Sequence, residues 1–218
     1  MTRRRKNTKS NKSQKEKKEP RPIFILKSDD VAALMDAAQH PELPRTLNAV
    51  RNRALVAVLY KSGLRVSEAL ALTPNDVTER DGVTWLNVRC GKGGKQRESR
   101  LFNGALKELE LWLDMRASRV SDDAAPIFCT TAAQKAGKPL SRIYVANMLK
   151  RLATQANITK RVHAHGFRHT HATELFHRGT SVAVIQAQLG HSDVATTFNY
   201  LASLSCSDAH EQLAAIDW

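Results

Sequence analysis

The sequence has few of the features that mark secreted, membrane or zinc-binding proteins. Its three cysteines, Cys90, Cys129 and Cys206, are far apart and form no C-x-x-C pair, which argues against a disulfide framework or a cysteine zinc site and fits a reducing cytoplasm. No apolar run approaches the ~20 residues that a membrane span needs. The N-terminus is basic but lacks the apolar core of a secretory signal. These absences favour a cytoplasmic globular protein with no membrane partner.

Acidic residues are also scarce relative to basic ones. There are 34 Lys and Arg against 21 Asp and Glu, a formal net charge of +13. Residues 1–22 hold ten of the basic residues and two Glu, so that they carry +8 and the rest of the chain +5. This segment has too little apolar surface to offset its ordering entropy. We therefore predict a disordered basic tail over 1–22, a folded domain over 23–218, and a polyanionic partner, most simply nucleic acid.

Helical patterns dominate the folded part. Ser28 is predicted to cap a first helix, a second runs from about Pro44 to Gly63, and a short third covers residues 66–70. Further helices are predicted over residues 106–113, 141–152, 165–178, 181–189, 193–201 and 207–216. The last of these is amphipathic.

One clear β pattern interrupts the helices. Residues 83–88 and 98–102 flank a glycine-rich loop at 91–95, which predicts an antiparallel hairpin. The fold class is therefore α+β, mainly α, with a small antiparallel β-sheet.

No local motif points to a cofactor or a metal. The loop at 91–95 lacks the G-K-[ST] ending of a phosphate-binding loop and opens no helix. His165 and His169 are four residues apart and could share a helix face as metal ligands, but no acidic third ligand completes the pattern. We therefore predict neither a cofactor nor a metal.

The informative pattern is an ordered series of basic side chains and one tyrosine. Arg65 lies in G-L-R-V-S-E-A-L, Lys92 at the hairpin tip, His165 and Arg168 in an H-x-x-R motif, His191 in L-G-H-S-D, and Tyr200 nine residues later. Taken singly, each has an ordinary interpretation: a surface arginine, a solubilising loop lysine (Lys95 competes for the role), a core or capping histidine, a packed tyrosine. The order and spacing of all six are what carries information.

In that order and spacing, the sequence resembles the catalytic domain of the tyrosine recombinase (phage integrase) family over roughly residues 25–205. The resemblance implies the helical fold of that domain and a site-specific DNA recombinase that cleaves and rejoins DNA through a 3′-phosphotyrosine, without ATP or metal. It also implies that the six residues just named, Arg65, Lys92, His165, Arg168, His191 and Tyr200, form the active site.

The chemistry agrees with the roles that the resemblance implies. Arg65 and Arg168 offer fixed donors and positive charge to the non-bridging oxygens of a phosphodiester in its pentacovalent transition state. Tyr200 is the nucleophile, and its phenol, whose ordinary pKa is about 10, needs a proton acceptor such as His165.

The other two residues complete the set. Lys92 is the candidate for protonating the leaving 5′-oxygen, and the resemblance implies that His191 hydrogen-bonds the phosphate or positions the tyrosine. Two positions depart from the family pattern: Phe167 stands where leucine or methionine is commoner, and His171 where an aromatic or apolar residue is common. We interpret His171 as a packed helix side chain.

The architecture departs further. Typical members carry a helical core-binding domain of about a hundred residues before the catalytic domain, whereas only the tail and one short helix precede the catalytic pattern here. We therefore expect a single catalytic domain, with the tail as an electrostatic arm along DNA in place of a clamp.

The expected partner is double-stranded DNA, bound by a homo-tetramer on two recombination sites with accessory DNA-binding proteins, in the cytoplasm and at the nucleoid. The helix over 207–216 packs either on its own protomer or on a neighbour. Two alternatives stay open: a non-catalytic DNA-binding regulator on the same fold, and a type IB topoisomerase-like enzyme.

Overall fold

The computed structural model describes residues 25–39, 44–89 and 96–190. These residues form seven α-helices and three strands, joined by short 3₁₀ turns. In chain order the elements are α1 (Ser28–Ala38), α2 (Leu47–Ser62), α3 (Val66–Ala71), β1 (Val77–Arg80), β2 (Val83–Val88), β3 (Arg97–Leu101), α4 (Leu106–Ala117), α5 (Arg142–Gln155), α6 (Ala164–His177) and α7 (Val182–Leu189).

The strands form one antiparallel sheet in the order β1-β2-β3. β2 alternates between buried and half-buried positions, as expected for a strand with one covered face. At its end Val88 is paired with Arg97 of β3. The predicted α+β class with a small antiparallel sheet is confirmed.

The core is built around α2. This helix is buried on nearly all of its faces and packs against α1, α4 and α6. Burial on every side explains why its apolar residues show no amphipathic stripe. A second, smaller apolar cluster joins α6 to α7 through Ala172, Leu175, Ile185 and Leu189. The two clusters fix the first turn of α6 beside the C-terminal end of α2.

Several helix ends lie where the sequence predicts them. Ser141 caps α5 by accepting a hydrogen bond from the backbone N–H of Tyr144 at 3.0 Å. Gly63 ends α2 and Gly190 ends α7, both in the left-handed region with φ of 65°. A side chain at this φ is strained, which is why glycine is the usual residue at such ends.

Two predicted helix starts are wrong by one to three residues. Ser28 is the first residue of α1 rather than its cap; the preceding Lys27 takes that position, and its N–H donates to the Asp30 carboxylate at 2.6 Å. α2 begins at Leu47 rather than near Pro44, because Thr46 caps it by accepting from the N–H of Ala49 at 3.2 Å.

The strand predictions also need correction. The second hairpin strand begins one residue earlier than predicted, at Arg97. β1 was not predicted at all, because V-T-E-R has one apolar residue and therefore no alternation. The predicted tail over 1–22 and the predicted helices over 193–201 and 207–216 lie outside the described residues. Within the described ranges, no helix is both long and apolar enough to cross a membrane.

Candidate active site

Arg65 lies at the junction between α2 and α3. Gly63 turns the chain out of α2, and Arg65 then takes the N-cap position of α3 in extended conformation. Its backbone N–H donates to Glu68 Oε2 at 2.8 Å, and its Nη1 donates to Glu68 Oε1 at 2.7 Å. The Arg65 side chain is 27 % exposed. One carboxylate thus fixes both the backbone and the guanidinium of Arg65 while part of the side chain stays open to a ligand.

Glu68 is a buried carboxylate with two arginine partners. Besides Arg65, it accepts from Arg97 in bidentate geometry, at 3.0 Å to Oε1 and 2.8 Å to Oε2. Burial by itself raises the pKa of Glu68, but the hydrogen bonds and charges of Arg97 and Arg65 outweigh it and lower the pKa to about 2. Glu68 is therefore ionised throughout the physiological pH range.

Arg168 is almost completely buried on α6, with 1 % of its surface exposed. Its Nη1 donates to the Gly63 carbonyl at 2.8 Å, and its Nη2 donates to the Leu189 carbonyl at 2.7 Å. These bonds fix the plane of the guanidinium. They also join α6 to the C-terminal ends of α2 and α7, two residues before Arg65 and two residues before His191.

His165 lies on the first turn of α6, one helical turn before Arg168. The residue is exposed at the surface, yet its pKa is lowered, first by partial desolvation of the ring and then by the positive charges of Arg168, His163 and Arg65. A histidine with a lowered pKa is neutral at pH 7 and is therefore able to accept a proton. His169 meets the His165 ring edge-on, with 4.6 Å between the ring centroids.

Three of the six predicted site residues therefore converge. Arg65, His165 and Arg168 come from segments about 100 residues apart, and the Gly63 turn brings those segments together. The other three, Lys92, His191 and Tyr200, lie outside the described residues. Arg89, just after β2, and Gly190, at the end of α7, are the described residues nearest to Lys92 and His191 in the sequence.

Sequence reasoning missed Glu68 and Arg97. Glu68 had a local signature, since an acidic residue at the third position of a helix often accepts from the N-cap backbone N–H, as it does here. Arg97 had none, because its partner lies 29 positions away in the chain. His171, predicted to be a packed side chain, is 3 % exposed and lies edge-on against Phe102, which confirms that interpretation.

A model of the phage integrase family matches residues 25–205. Among curated proteins, the chain is 32 % identical over 176 residues to a tyrosine recombinase XerD of Staphylococcus saprophyticus, covering 81 % of this chain and 57 % of that protein. It is 34 % identical over 175 residues to a tyrosine recombinase XerD of Corynebacterium glutamicum, covering 80 % and 55 %. The chain thus spans a little over half the length of these relatives.

Solved structures show the same likeness. A crystal structure of the XerA recombinase superposes with a TM-score of 0.73 and 29 % identity, covering 90 % of this chain and 67 % of that one. The XerH site-specific recombinase bound to a palindromic difH substrate superposes with a TM-score of 0.72, covering 88 % and 53 %; its 24 % identity bears on the fold alone.

Proposed function

Because the chain belongs to the phage integrase family of tyrosine recombinases, we propose that it is a site-specific DNA recombinase that acts through a 3′-phosphotyrosine intermediate. The observation that carries the proposal is the convergence of Arg65, Arg168 and His165 at the Gly63 turn. Two guanidinium groups, one buried and one partly exposed, lie close enough to His165 to lower its pKa. Such a set fits a phosphodiester and the hydroxyl group that attacks it.

The two arginines take different parts in binding the phosphate. Arg168 is held rigidly by two carbonyls, so its position costs no reorganisation when charge grows on the non-bridging oxygens. Arg65 is more exposed, and one terminal nitrogen of its guanidinium, Nη1, is held by Glu68. Together they supply the positive charge that a pentacovalent transition state with an additional negative charge requires.

The proton transfers follow from the same arrangement. The Tyr200 oxygen forms a bond to phosphorus as the bond from phosphorus to the 5′-oxygen breaks. The phenol gives its proton to His165, and the departing 5′-oxygen takes a proton from the Lys92 ammonium group. His191 hydrogen-bonds the phosphate. A 5′-hydroxyl from another strand reverses these steps and completes the exchange, with no cofactor or metal in the scheme.

Covalent trapping on a nicked suicide substrate tests the proposal. Cleavage next to the nick releases a short fragment, so religation stops and the adduct accumulates. We expect an adduct with the wild type and none with Tyr200→Phe, while DNA binding persists. Tyr60→Phe is the matched control, since Tyr60 is buried in α2 and its hydroxyl bonds to Glu174.

Other outcomes separate the remaining functions. DNA binding without an adduct from any candidate site refutes the recombinase and favours a regulator. Relaxation of supercoiled plasmid that lacks a recombination site favours a topoisomerase. A library of candidate sites in the trapping reaction reports activity and specificity together.

The partner in this scheme is double-stranded DNA, bound by a homo-tetramer on two sites with accessory DNA-binding proteins, at the nucleoid in the cytoplasm. A groove of about 420 Å³ between the sheet, α6 and α7 supports the assembly. Its walls combine apolar side chains with two basic ones and one carboxylate, namely Trp85, Phe102, Leu175, Val184, Arg100, Arg178 and Glu98. Residues 207–218 carry three acidic residues, no Lys or Arg, and the apolar Leu213, Ile216 and Trp218.

Apolar matching and opposite charge lead us to assign this groove to residues 207–218 of a neighbouring protomer. Val184 is 56 % exposed in the groove, so Val184→Asp places a like charge against the incoming segment. We expect this variant, and truncation after Cys206, to abolish the tetramer on paired sites while single-site binding persists. Unchanged assembly in both variants refutes the packing in trans.

We propose that a catalytic domain over 23–218 follows a basic tail over 1–22, and that this tail acts as an electrostatic arm along DNA. If about six of its basic residues each neutralise a phosphate, log K falls with log salt by about five more units than in a tail-deleted protein. An identical salt slope after deletion refutes the arm.

A further inference from the structure

The first turn of α6 carries His165 at the second helical position and Gly166 at the third. Backbone N–H groups in a first turn have no partner within the helix, so the turn depends on acceptors that lie outside it. Glycine is also a weak helix former, because its backbone loses more freedom on folding than that of other residues. The placement of His165 therefore depends on what caps α6.

The residue that caps α6 is His163. It is extended, with φ of −150° and ψ of 156°, and its Nδ1 accepts a hydrogen bond from the N–H of Gly166 at 3.0 Å. The His163 carbonyl accepts from the same N–H at 2.9 Å. These hydrogen bonds between residues 163 and 166 close a loop that contains His165. They therefore restrict the backbone from which the His165 ring projects.

This cap differs chemically from the other helix caps in the described part of the chain. α2, α5 and α7 are capped by the hydroxyl groups of Thr46, Ser141 and Ser181. α3 has Glu68 at its third position, where the carboxylate accepts from the N-cap backbone N–H, and the glycine at the third position of α6 has no side chain for such a bond. A hydroxyl accepts at any ordinary pH, whereas the Nδ1 atom of His163 accepts only while it is unprotonated.

The surroundings of His163 favour the neutral ring that this cap requires. It borders a cavity of about 590 Å³, and the charged groups of the described residues that line this cavity are basic, namely Arg142, Lys150, Lys160 and Arg161. Lys160 pairs with Asp30 at 2.5 Å. The pKa of His163 is lowered, first by partial burial and then by the charge of Arg161. The ring is therefore neutral at pH 7, with its proton on Nε2 and Nδ1 free to accept.

We propose that His163 is a positioning residue, which caps α6 through Nδ1 and so holds His165 where it accepts the proton of the attacking hydroxyl group. This role rests on the proposed function and adds to it a residue outside the six predicted site residues. The role requires an acceptor for the Gly166 N–H rather than the charge or bulk of an imidazole. His163→Ser keeps such an acceptor, of the kind that Ser141 supplies to the Tyr144 N–H at 3.0 Å, and His163→Ala removes it.

Single-turnover cleavage by these two variants separates the cap from the rest of the ring, since both lose the imidazole. At pH 7 we expect His163→Ala to be slower by on the order of tenfold, as is usual for a slightly displaced catalytic group. We expect His163→Ser to stay within about twofold of the wild type, because serine is a good N-cap residue. The matched control is Thr46→Ala, which removes the acceptor of the Ala49 N–H at the start of α2 and leaves cleavage per folded molecule unchanged.

A double-mutant cycle shows whether the defect acts through His165. If His163 acts by placing that ring, His163→Ala costs nothing further in a His165→Asn protein, so the two losses are not additive. A general disturbance of α6, which would also displace Arg168, gives losses that multiply. The cycle therefore distinguishes a positioning role from a purely structural one.

Three results overturn the role of His163: wild-type cleavage by His163→Ala, equal losses in His163→Ala and His163→Ser, or losses that multiply in the His165→Asn protein. Amide hydrogen exchange keeps this test separate from that of the proposed function. If the wild type does not cleave, the recombinase is refuted, and exchange at Gly166 still decides on the cap. Faster exchange there in His163→Ala than in His163→Ser supports the cap, and equal exchange in the two variants refutes it.

Discussion

Two buried arginines in this domain bind in similar ways but do different things. Arg116 of α4 is 3 % exposed and donates to the carbonyls of Val120, Asp122, Ala125 and Pro126. Arg168 of α6 is 1 % exposed and donates to the carbonyls of Gly63 and Leu189. The partners of Arg116 lie within ten residues of it, whereas those of Arg168 lie 105 and 21 residues away.

The difference shows what burial of an arginine does and does not indicate. Arg116 closes a single loop after α4, which is a structural task. Arg168 joins the two segments that lead to Arg65 and His191, and its charge contributes to the lowered pKa of His165. Hydrogen bonds to backbone carbonyls do not by themselves distinguish a structural arginine from one in the candidate site. The segments that those hydrogen bonds join do distinguish the two.

Arg168→Lys tests this contrast with the largest expected effect. Lysine keeps a positive charge but has no planar fork to bridge the Gly63 and Leu189 carbonyls. We expect cleavage in a single-turnover assay to fall by about 10²–10³-fold, the usual cost of losing a preorganised donor to a developing charge. Wild-type cleavage by a folded Arg168→Lys protein contradicts the catalytic role.

Arg65 is held by the Glu68 carboxylate, whereas Arg168 is held by backbone carbonyls. Glu68→Gln tests the contribution of that carboxylate. The pKa of Glu68 is lowered from 4.5 to about 2 in the folded protein, so its stabilising contribution is complete above pH 4.5 and is lost as the pH falls towards 2. The contribution is on the order of 3 kcal/mol in the free energy of unfolding. Urea unfolding between pH 5 and 2 measures it.

In Glu68→Gln this part of the acid dependence is expected to vanish, since glutamine does not titrate. Asp36→Asn is a suitable control, because the Asp36 side chain is 51 % exposed in its pair with Arg53. A wild-type pH dependence in Glu68→Gln contradicts the ion-pair cluster.

Arg116→Lys tests the structural role of Arg116, the other arginine in this comparison. Losing several buried hydrogen bonds from a charged donor leaves carbonyls unsatisfied, and we expect the free energy of unfolding to drop by about 2 kcal/mol. Cleavage per folded molecule stays at the wild-type value. A cleavage defect that persists after correction for the folded fraction contradicts the structural assignment of Arg116.

The smallest expected effect is a change in the pH profile of cleavage when His165 is replaced by asparagine. The pKa of His165 is lowered below the ordinary 6.5 by desolvation and by neighbouring cations, so the neutral, proton-accepting form prevails at pH 7 and above and is lost only as the pH falls through the lowered pKa. The acid limb of the cleavage profile therefore lies below pH 6.5 and is absent in His165→Asn. An acid limb centred above pH 7 contradicts a neutral His165.

Local chemistry made much of the fold predictable. Gly63, Gly190 and Ser141 end or begin helices through contacts within a few residues, and such contacts are visible in the sequence. β1 was missed because a mostly polar edge strand depends on pairing with β2 rather than on its own alternation. The start of α2 was misplaced because Thr46, not Pro44, offers the side-chain acceptor that a helix start needs.

The candidate site also contains residues that were predicted from the sequence and residues that were not. Arg65, His165 and Arg168 were predicted from their order and spacing, and the structure brings them together. Glu68 was missed although its position in the first turn of α3 is a local signature. Arg97 was missed because a contact across 29 residues leaves no periodic trace. The ion pair between Glu68 and Arg97 forms only once the fold brings the side chains of α3 and β3 together.

In the proposed reaction, Arg168 neutralises charge on the phosphate that Tyr200 attacks. A methylphosphonate at the cleavage site, which replaces one non-bridging oxygen by a methyl group and removes its charge, tests it most directly. We expect Arg168→Ala to lose cleavage on the phosphate substrate and to recover most of it on the methylphosphonate. An equal loss on both substrates by a folded Arg168→Ala protein would contradict it.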